Sequence, residues 1–143
     1  PMDFYLPHHK GVAGLDHLIY AFDTSGSMTD EQLQVANSEI KAVKDQFNPK
    51  MMEILDFDTE IRSVTNFTED DEFGCLQFTG RGGAYLQPVF DYAIKKPPSA
   101  LIVFSDMYCD LPEDPGFPVI FIVFDNKSFT APYGRVVHMN TQE

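Results

Sequence analysis

Three short runs of the chain are almost entirely apolar, and each has about the length of one β-strand. They cover residues 17–22, 100–104 and 119–124. A strand on the surface of a sheet alternates apolar and polar residues, whereas a strand buried on both faces is apolar throughout. The three runs therefore predict a parallel sheet that is covered on both of its faces.

Two segments between these runs have the periodicity of helices that could cover such a sheet. Apolar residues recur at intervals of three and four over residues 33–47, which gives one apolar stripe. Residues 29–32 match a capping box at the start of this helix, and Asn48 and Pro49 end it. A second stripe, over residues 86–93, predicts a shorter helix with a proline in its first turn.

The remaining strands are predicted to form a hairpin and one short last strand. Residues 51–57 and 61–67 are strand-like and are joined by a short turn, which indicates a hairpin. Asp56 and Asp58 flank Phe57 near this turn, and we interpret both side chains as solvated. Residues 135–138 could form the last strand.

The predicted elements follow the order β-α-β-β-α-β-β-β. Mostly parallel strands with helices between them indicate an α/β fold with a doubly wound, Rossmann-like sheet and helices on both faces. The antiparallel strand of the hairpin is expected at or near an edge of the sheet. A chain of 143 residues is long enough for a substantial core. We expect an irregular lead-in over residues 1–16 and a single domain over residues 17–143.

The charge balance of the chain disfavours one class of partner. Ten Lys and Arg residues stand against 22 Asp and Glu residues, which gives a net charge of −12. Such a chain repels phosphate backbones, so no nucleic-acid partner is expected. No apolar run approaches the ~20 residues of a membrane span, so no membrane partner is expected either. The acidic run at residues 69–72 is interpreted as a solvated loop.

The cysteines and the start of the chain bear on its location. Cys75 and Cys109 form no CxxC pair and cannot build a disulfide framework. No signal peptide opens the chain. Reduced thiols and a cytoplasmic location are therefore expected, with a monomer as the simplest state. Because the sequence begins with Pro1 rather than methionine, we expect further sequence upstream.

Polar residues directly follow two of the predicted buried strands. Asp23, Ser25 and Ser27 follow the first apolar run, and Ser105 and Asp106 follow the second. Open α/β sheets bind ligands at the carboxyl ends of their strands, where the strand order reverses. If the two strands are neighbours at that point, these side chains converge.

A cluster of carboxylate and hydroxyl oxygens suits a hard divalent cation, and we expect Mg²⁺, or else Mn²⁺ or Ca²⁺. With at most two carboxylates facing it, such an ion is not over-neutralised and can accept an oxygen from an Asp or Glu of a partner protein. The pattern predicts a metal-dependent adhesion site with Asp23, Ser25, Ser27 and Asp106 as the metal-binding residues. Serine can also cap a helix without any ion, so capping and turn roles stay open.

Three segments together resemble von Willebrand factor A (VWA) domains. Residues 23–27 (DTSGS) resemble the DxSxS motif of that family, at the strand-to-helix turn where the family carries it. Residues 80–90 (GRGGAYLQPVF) resemble the GRGGT-type loop and helix of one VWA-like branch. Residues 101–113 (LIVFSDMYCDLPE) resemble the strand that carries the family's second aspartate. The resemblance covers residues 16–126 and implies a protein-interaction domain with a metal site.

The resemblance also implies which other domain and which other protein accompany this domain. In that branch the VWA-like domain commonly follows a metallopeptidase-like domain. Its gene often lies near the gene of a MoxR-type AAA+ ATPase. An AAA+ ATPase is therefore a candidate partner.

One position departs from the pattern of that branch. The middle loop of the family usually supplies a threonine hydroxyl to the metal, and the corresponding residue here is Ala84. Ala84 has no ligand atom, so a water or Thr79 would have to take its place, and weakened metal binding is expected. Gly82 and Gly83 are interpreted as residues that shape this loop, and Ser105 as a supporting residue.

Two alternatives to a metal-dependent module stay open. A degenerate site would leave a metal-free scaffold that binds partners through its surface. The other alternative is an enzyme, because Asp23 after a buried strand superficially resembles the nucleophile of a haloacid-dehalogenase-type phosphatase. That chemistry needs a second acid where Ser25 stands, and the chain has no GxSxG elbow. No enzymatic activity is expected.

Overall fold

The computed structural model describes residues 16–26, 28–71 and 83–140. These residues contain every element that the sequence predicts, in the predicted order, and the boundaries differ by at most about two residues. The elements are β1 (His17–Asp23), α1 (Asp30–Phe47), β2 (Met51–Phe57), β3 (Ile61–Thr68), α2 (Gln87–Lys95), β4 (Ala100–Ser105), β5 (Val119–Phe124) and β6 (Arg135–Met139).

The strands form one sheet in the order β3-β2-β1-β4-β5-β6. Neighbouring strands are parallel except β2 and β3, which are antiparallel. The hairpin strand β3 therefore lies at an edge, and the prediction of a mostly parallel α/β sheet is confirmed. Because β1 lies between β2 and β4, the strand order reverses at β1.

Within the described residues, each face of the sheet carries one helix. Along β1, Leu18, Tyr20 and Phe22 belong to the cluster that contains the apolar stripe of α1, whereas Ile19 and Ala21 belong to the cluster that contains α2. All five side chains are buried. A strand packed against helices on both faces needs an apolar residue at every position, which explains the continuous apolar run.

Helix α1 begins and ends as its sequence predicts. The amide of Gln32 donates to Thr29 Oγ1 (3.1 Å) and the amide of Thr29 donates to Gln32 Oε1 (2.9 Å), which forms the capping box. Asn48 ends the helix in the left-handed region with φ 42°, and its amide donates to the carbonyl of Lys44. Gln32 Nε2 also donates to Asp125 Oδ2 (2.7 Å), directly after β5. This bond ties the start of α1 to the carboxyl end of the sheet.

Gly134 allows β6 to approach β5. Its φ of +74° lies in the left-handed region, and a Cβ at this position would lie 2.7 Å from the carbonyl oxygen of Val119. A side chain there would therefore have to push the start of β6 away from its neighbour.

Two expectations about the surface can be compared with the described residues. Residues 69–71 are exposed, in agreement with a solvated acidic loop, and Glu72 lies outside the described residues. Neither of the described helices has the combined length and apolar content that crossing a membrane requires.

Candidate functional site

The candidate site lies at the carboxyl end of the sheet, where β1 and β4 end side by side. Phe22 pairs with Phe104 in the register of these strands. The next residues, Asp23 and Ser105, therefore lie at the same level, and both are fully buried. This is the position at which open α/β sheets bind their ligands.

Asp23 is held by neutral hydrogen-bond donors from Ser25 and Ser105. The amide of Ser25 donates to Asp23 Oδ1 (2.8 Å), and the hydroxyl of Ser105 donates to Asp23 Oδ2 (2.5 Å). Burial raises the pKa of Asp23 above its ordinary value, the hydrogen bonds from Ser105 and Ser25 lower it, and the nearby Asp106 carboxylate raises it. Because the effect of burial is the largest, the charged form of Asp23 is disfavoured unless a cation compensates it.

Asp106 lies near Asp23 on a loop whose backbone is fixed at several points. Its carbonyl oxygen accepts a hydrogen bond from Asn126 Nδ2 (2.8 Å), which comes from the end of β5. The amide of Met107 donates to Ser105 Oγ (2.9 Å). Met107 is buried and adopts a left-handed conformation with φ 56°, which few residues other than glycine and asparagine take. The loop therefore leaves the strand in a defined direction.

Thr24 connects the end of β1 to the neighbouring strand β2. Its amide donates to the carbonyl of Phe57 (2.8 Å), and its hydroxyl donates to Asp56 Oδ1 (2.6 Å). Asp56 is buried, and so is Asp58, which accepts a hydrogen bond from Arg62 Nε (2.8 Å). The prediction that these two carboxylates are solvated is therefore wrong. Thr24 and Arg62 hydrogen-bond to them where water was expected.

The third loop of the predicted site is described from Gly83 onward. The amide of Tyr85 donates to the carbonyl of Asp58 (2.8 Å), which attaches this loop to the turn after β2. Gly83 lies near Thr59, since a Cβ on it would be 3.8 Å from Thr59 Cγ2. Ala84 is half-buried and contributes a methyl group where the family pattern has a hydroxyl.

Some residues named from the sequence cannot be placed. They lie outside the described residues and are Ser27, Thr79, Gly82 and Cys75.

Cys109 lies close to the site but has the properties of an unreactive thiol. Burial, together with the carboxylates of Asp23, Asp106 and Asp110, raises the pKa of this half-buried cysteine to about 12. Only the thiolate is a strong nucleophile, and at neutral pH the side chain is a thiol. Cys109 therefore does not favour covalent catalysis.

The atoms of the candidate site that could coordinate a metal ion are oxygens. They are the carboxylates of Asp23 and Asp106 and the hydroxyls of Ser25 and Ser105. Within residues 16–26, 28–71 and 83–140, no ion pair involves Asp23 or Asp106. The same residues contain no cluster of three or more His, Cys, Asp and Glu side chains that could hold a metal ion. A cation here would therefore depend on hydroxyls as well as on two carboxylates.

Sequence reasoning missed two residues that organise the site. Asn126 comes shortly after the buried strand β5, so the rule that pointed to Asp23 and Asp106 would have found it. Thr24 also follows a buried strand, but its role could not be predicted because its partner Asp56 is distant in the sequence and belongs to another strand.

Comparisons with known proteins give one family match. A family model described as VWA-like domain (DUF2201) matches residues 18–140. The matched range includes all six strands and both helices of the described part of the chain except the first residue of β1. A search of curated proteins and a search of solved structures each find no match.

Proposed function

Because this chain belongs to the VWA-like domain family DUF2201, we propose that it is a protein-interaction module that engages its partner through a divalent cation at the carboxyl end of the sheet. Domains of this kind are generally non-catalytic interaction modules, and the proposed module has no enzymatic activity. The observation that carries the proposal is that Asp23 is a buried carboxylate with no ion pair to any of residues 16–26, 28–71 and 83–140.

Asp23 is fully buried, and its donors in the described part of the chain are the amide and hydroxyl of Ser25 and the hydroxyl of Ser105, none of which carries a positive charge. Asp106 brings a second carboxylate close enough to raise the pKa of Asp23 further. Burying a carboxylate without a cationic partner is costly, and a second carboxylate increases the cost. A divalent cation would remove this cost.

The residues present fit Mg²⁺ and similar ions. Mg²⁺, Mn²⁺ and Ca²⁺ are bound through oxygen ligands, and the site offers carboxylate and hydroxyl oxygens. Asp23, Ser25 and Asp106 would hold the ion, with Ser27 as a further ligand that the sequence motif suggests. Ser105 would orient Asp23 through its hydrogen bond.

When bound, the cation would supply a positive charge to which a carboxylate of a partner protein can bind. At most two carboxylates would face the ion and the hydroxyl ligands are neutral, so the ion is not over-neutralised and can still bind a further anionic oxygen. The proposed partner is therefore a protein that exposes an Asp or Glu. An AAA+ ATPase is the candidate that the family resemblance suggests.

Thermal unfolding tests the metal-binding step. The melting temperature is measured in EDTA and then with Mg²⁺, Mn²⁺ or Ca²⁺ titrated in. An ion that binds only the folded chain adds about 2.7 kcal/mol of stability at one hundred times its dissociation constant. We expect the melting temperature of the wild-type chain to rise with at least one of these ions, and that of Asp23→Asn to stay constant.

Asp70→Asn is the matched control, because Asp70 is an exposed carboxylate. It should respond to the ions as the wild-type chain does. If none of the ions raises the melting temperature of the wild-type chain, or if Asp23→Asn responds equally, the metal-dependent mechanism is wrong.

A second candidate is a metal-free scaffold that binds partners through its surface. Ala84 favours it, because this residue provides no oxygen at the position where the family pattern has a threonine hydroxyl. An unchanged melting temperature in all three ions, with an intact fold, is the result that this candidate predicts.

A further inference from the structure

The carboxyl end of the sheet also exposes two tyrosines, one on each side of Asp23. Tyr85 is 51% exposed and Tyr108 is 69% exposed, the two highest values among the large hydrophobic residues of the described part of the chain. The Tyr85 amide is bonded to the residue directly after β2, and Tyr108 comes three residues after the end of β4. Because β1 lies between β2 and β4, the backbone segments that carry the two tyrosines lie on either side of the candidate metal site.

The direction of Tyr108 follows from a strained backbone. Met107 adopts φ 56° and is buried against the α2 face of the sheet, while the next residue points to solvent. A left-handed conformation at a long side chain is unfavourable, and such conformations cluster at functional sites. The conformation buries Met107 and leaves the aromatic ring of Tyr108 exposed to solvent. Exposure of an aromatic ring is not what burial of apolar surface would favour.

The backbone that carries Tyr108 is held in place. The amide of Met107 donates to Ser105 Oγ, and the carbonyl of Asp106 accepts from Asn126. A ring on a fixed backbone loses less entropy on binding than a ring on a free loop. Tyrosine is also one of the residues that contribute most to binding at protein interfaces.

The charges around Tyr108 indicate what it binds. Residues 97–126 contain no Lys, Arg or His. The loop that follows Tyr108 carries three exposed carboxylates, which are Asp110, Glu113 and Asp114. An aromatic face attracts cations, and carboxylates beside it strengthen this attraction. A basic side chain therefore fits this side of the site better than an apolar or acidic one.

We propose that Tyr85 and Tyr108 form an aromatic rim around the candidate site, and that the rim selects partner segments with an Arg or Lys close to the acidic residue. The basic side chain lies on Tyr108 beside Asp110, and Tyr85 packs on the other side of the segment. This inference rests on the proposed function for the acidic residue, whereas the preference for a basic residue depends on the rim alone.

Selection from random peptides displayed on phage tests the rim. The immobilised chain is panned in Mg²⁺, and one enriched peptide is synthesised for affinity measurement. We expect enriched peptides to combine an Asp or Glu with a nearby Arg or Lys. The dissociation constant of the synthesised peptide should rise about 5-fold with Tyr108→Ala, the value for a cation–π contact of about 1 kcal/mol. Tyr85→Ala should also weaken binding, and Asp110→Asn should reduce the preference for basic residues.

Ile94→Ala is the matched control, because Ile94 is 48% exposed on α2 and lies outside the rim. It should bind the peptide as the wild-type chain does, and unchanged melting temperatures show that the variants are folded. Enriched peptides without basic residues, the absence of any enrichment, or equal binding by Tyr108→Ala and Ile94→Ala would each overturn the rim.

Panning in EDTA separates this inference from the proposed function. If the preference for acidic residues disappears in EDTA while that for basic residues stays, both proposals are supported. If the preference for acidic residues is unaffected by EDTA and by Asp23→Asn, the metal-dependent mechanism fails and the rim stands.

Discussion

Glu53 at the amino end of the sheet and Asp23 at its carboxyl end are both buried carboxylates, but they have different partners. Glu53 Oε2 lies 2.5 Å from His17 Nε2, and Glu53 Oε1 accepts a hydrogen bond of 2.5 Å from the hydroxyl of Tyr92. Asp23 accepts hydrogen bonds from an amide and from a serine hydroxyl. A side chain that can carry a positive charge therefore contacts one carboxylate, whereas the donors to the other, in the part of the chain that the structure describes, are neutral.

This difference separates a structural network from a candidate binding site. His17, Glu53 and Tyr92 come from β1, β2 and α2, so their hydrogen bonds join the first strand, its neighbour and the helix above them. Within the described residues this network includes both a carboxylate and a basic group. At the opposite end, Asp23 and Asp106 bring two carboxylates together, which favours binding of a cation.

Glu53→Ala should have the largest effect on stability among the changes that follow. It leaves the ring of His17 and the hydroxyl of Tyr92 without their shared acceptor in a mostly buried place. We expect the free energy of unfolding in urea to fall by about 2–3 kcal/mol, equally in EDTA and in Mg²⁺. Glu60→Ala, at an exposed carboxylate, is the control and should change it by less than about 0.5 kcal/mol. A loss that Mg²⁺ restores would mean that the amino end is not merely structural.

The pH dependence of stability should distinguish the carboxyl end. Because the pKa of Asp23 is raised in the folded chain, the folded state holds this proton more strongly than the unfolded state. The resulting stability is present at acid pH and is lost as the pH rises through the folded pKa. In EDTA, the unfolding free energy of the wild-type chain relative to Asp23→Asn should therefore fall from acid to neutral pH. A relative stability that rises with pH would contradict the raised pKa.

Tyr92→Phe removes one donor from Glu53 and should have a smaller effect. Burial and the hydrogen bond to Glu53 raise the pKa of Tyr92 to about 12, so its hydroxyl is a donor throughout the neutral range. Loss of one hydrogen bond to a carboxylate should lower the unfolding free energy by about 1–2 kcal/mol. The loss should be the same with and without Mg²⁺, and chemical denaturation in both buffers measures it. A loss confined to one buffer would contradict the separation of the two ends.

Ala84→Thr should have the smallest effect on the stability of the metal-free chain. It should also strengthen metal binding. The residue is half-buried in a loop, so in EDTA we expect a change within about 0.5 kcal/mol. If the added hydroxyl reaches the ion, the melting temperature should begin to rise at a lower Mg²⁺ concentration than in the parent chain. No response in the parent and a clear one in Ala84→Thr would favour the metal-free scaffold. An unchanged response would mean that residue 84 does not reach the ion.

The fold could be predicted closely because its strands are buried on both faces. A continuous apolar run such as residues 119–124 has one main explanation in an α/β chain, and it forms β5 with the predicted bounds. The small errors fall at the ends of strands. Asp23 and Ser105 were assigned to loops because they are polar, yet each still pairs with a neighbouring strand.

The errors at the site have one physical cause. Asp56 looked solvated because it stands next to a turn, and the hydroxyl of Thr24 that contacts it belongs to another strand. The network of His17, Glu53 and Tyr92 also joins residues that are far apart in the sequence, so no local pattern could reveal it. Spacing along the chain predicts which residues follow a strand, but cross-strand partners depend on register.

The central claim is that a divalent cation binds at the carboxyl end of the sheet and not elsewhere. Titration of paramagnetic Mn²⁺ into the ¹⁵N-labelled chain tests it most directly, because bound Mn²⁺ broadens the amide signals of nearby residues. We expect selective loss of the signals of Ser25, Ser105 and Tyr108, while those of Glu53 and Tyr92 persist, and recovery on addition of excess Mg²⁺. Broadening that is uniform, that is centred on Glu53, or that is unchanged in Asp23→Asn would contradict it.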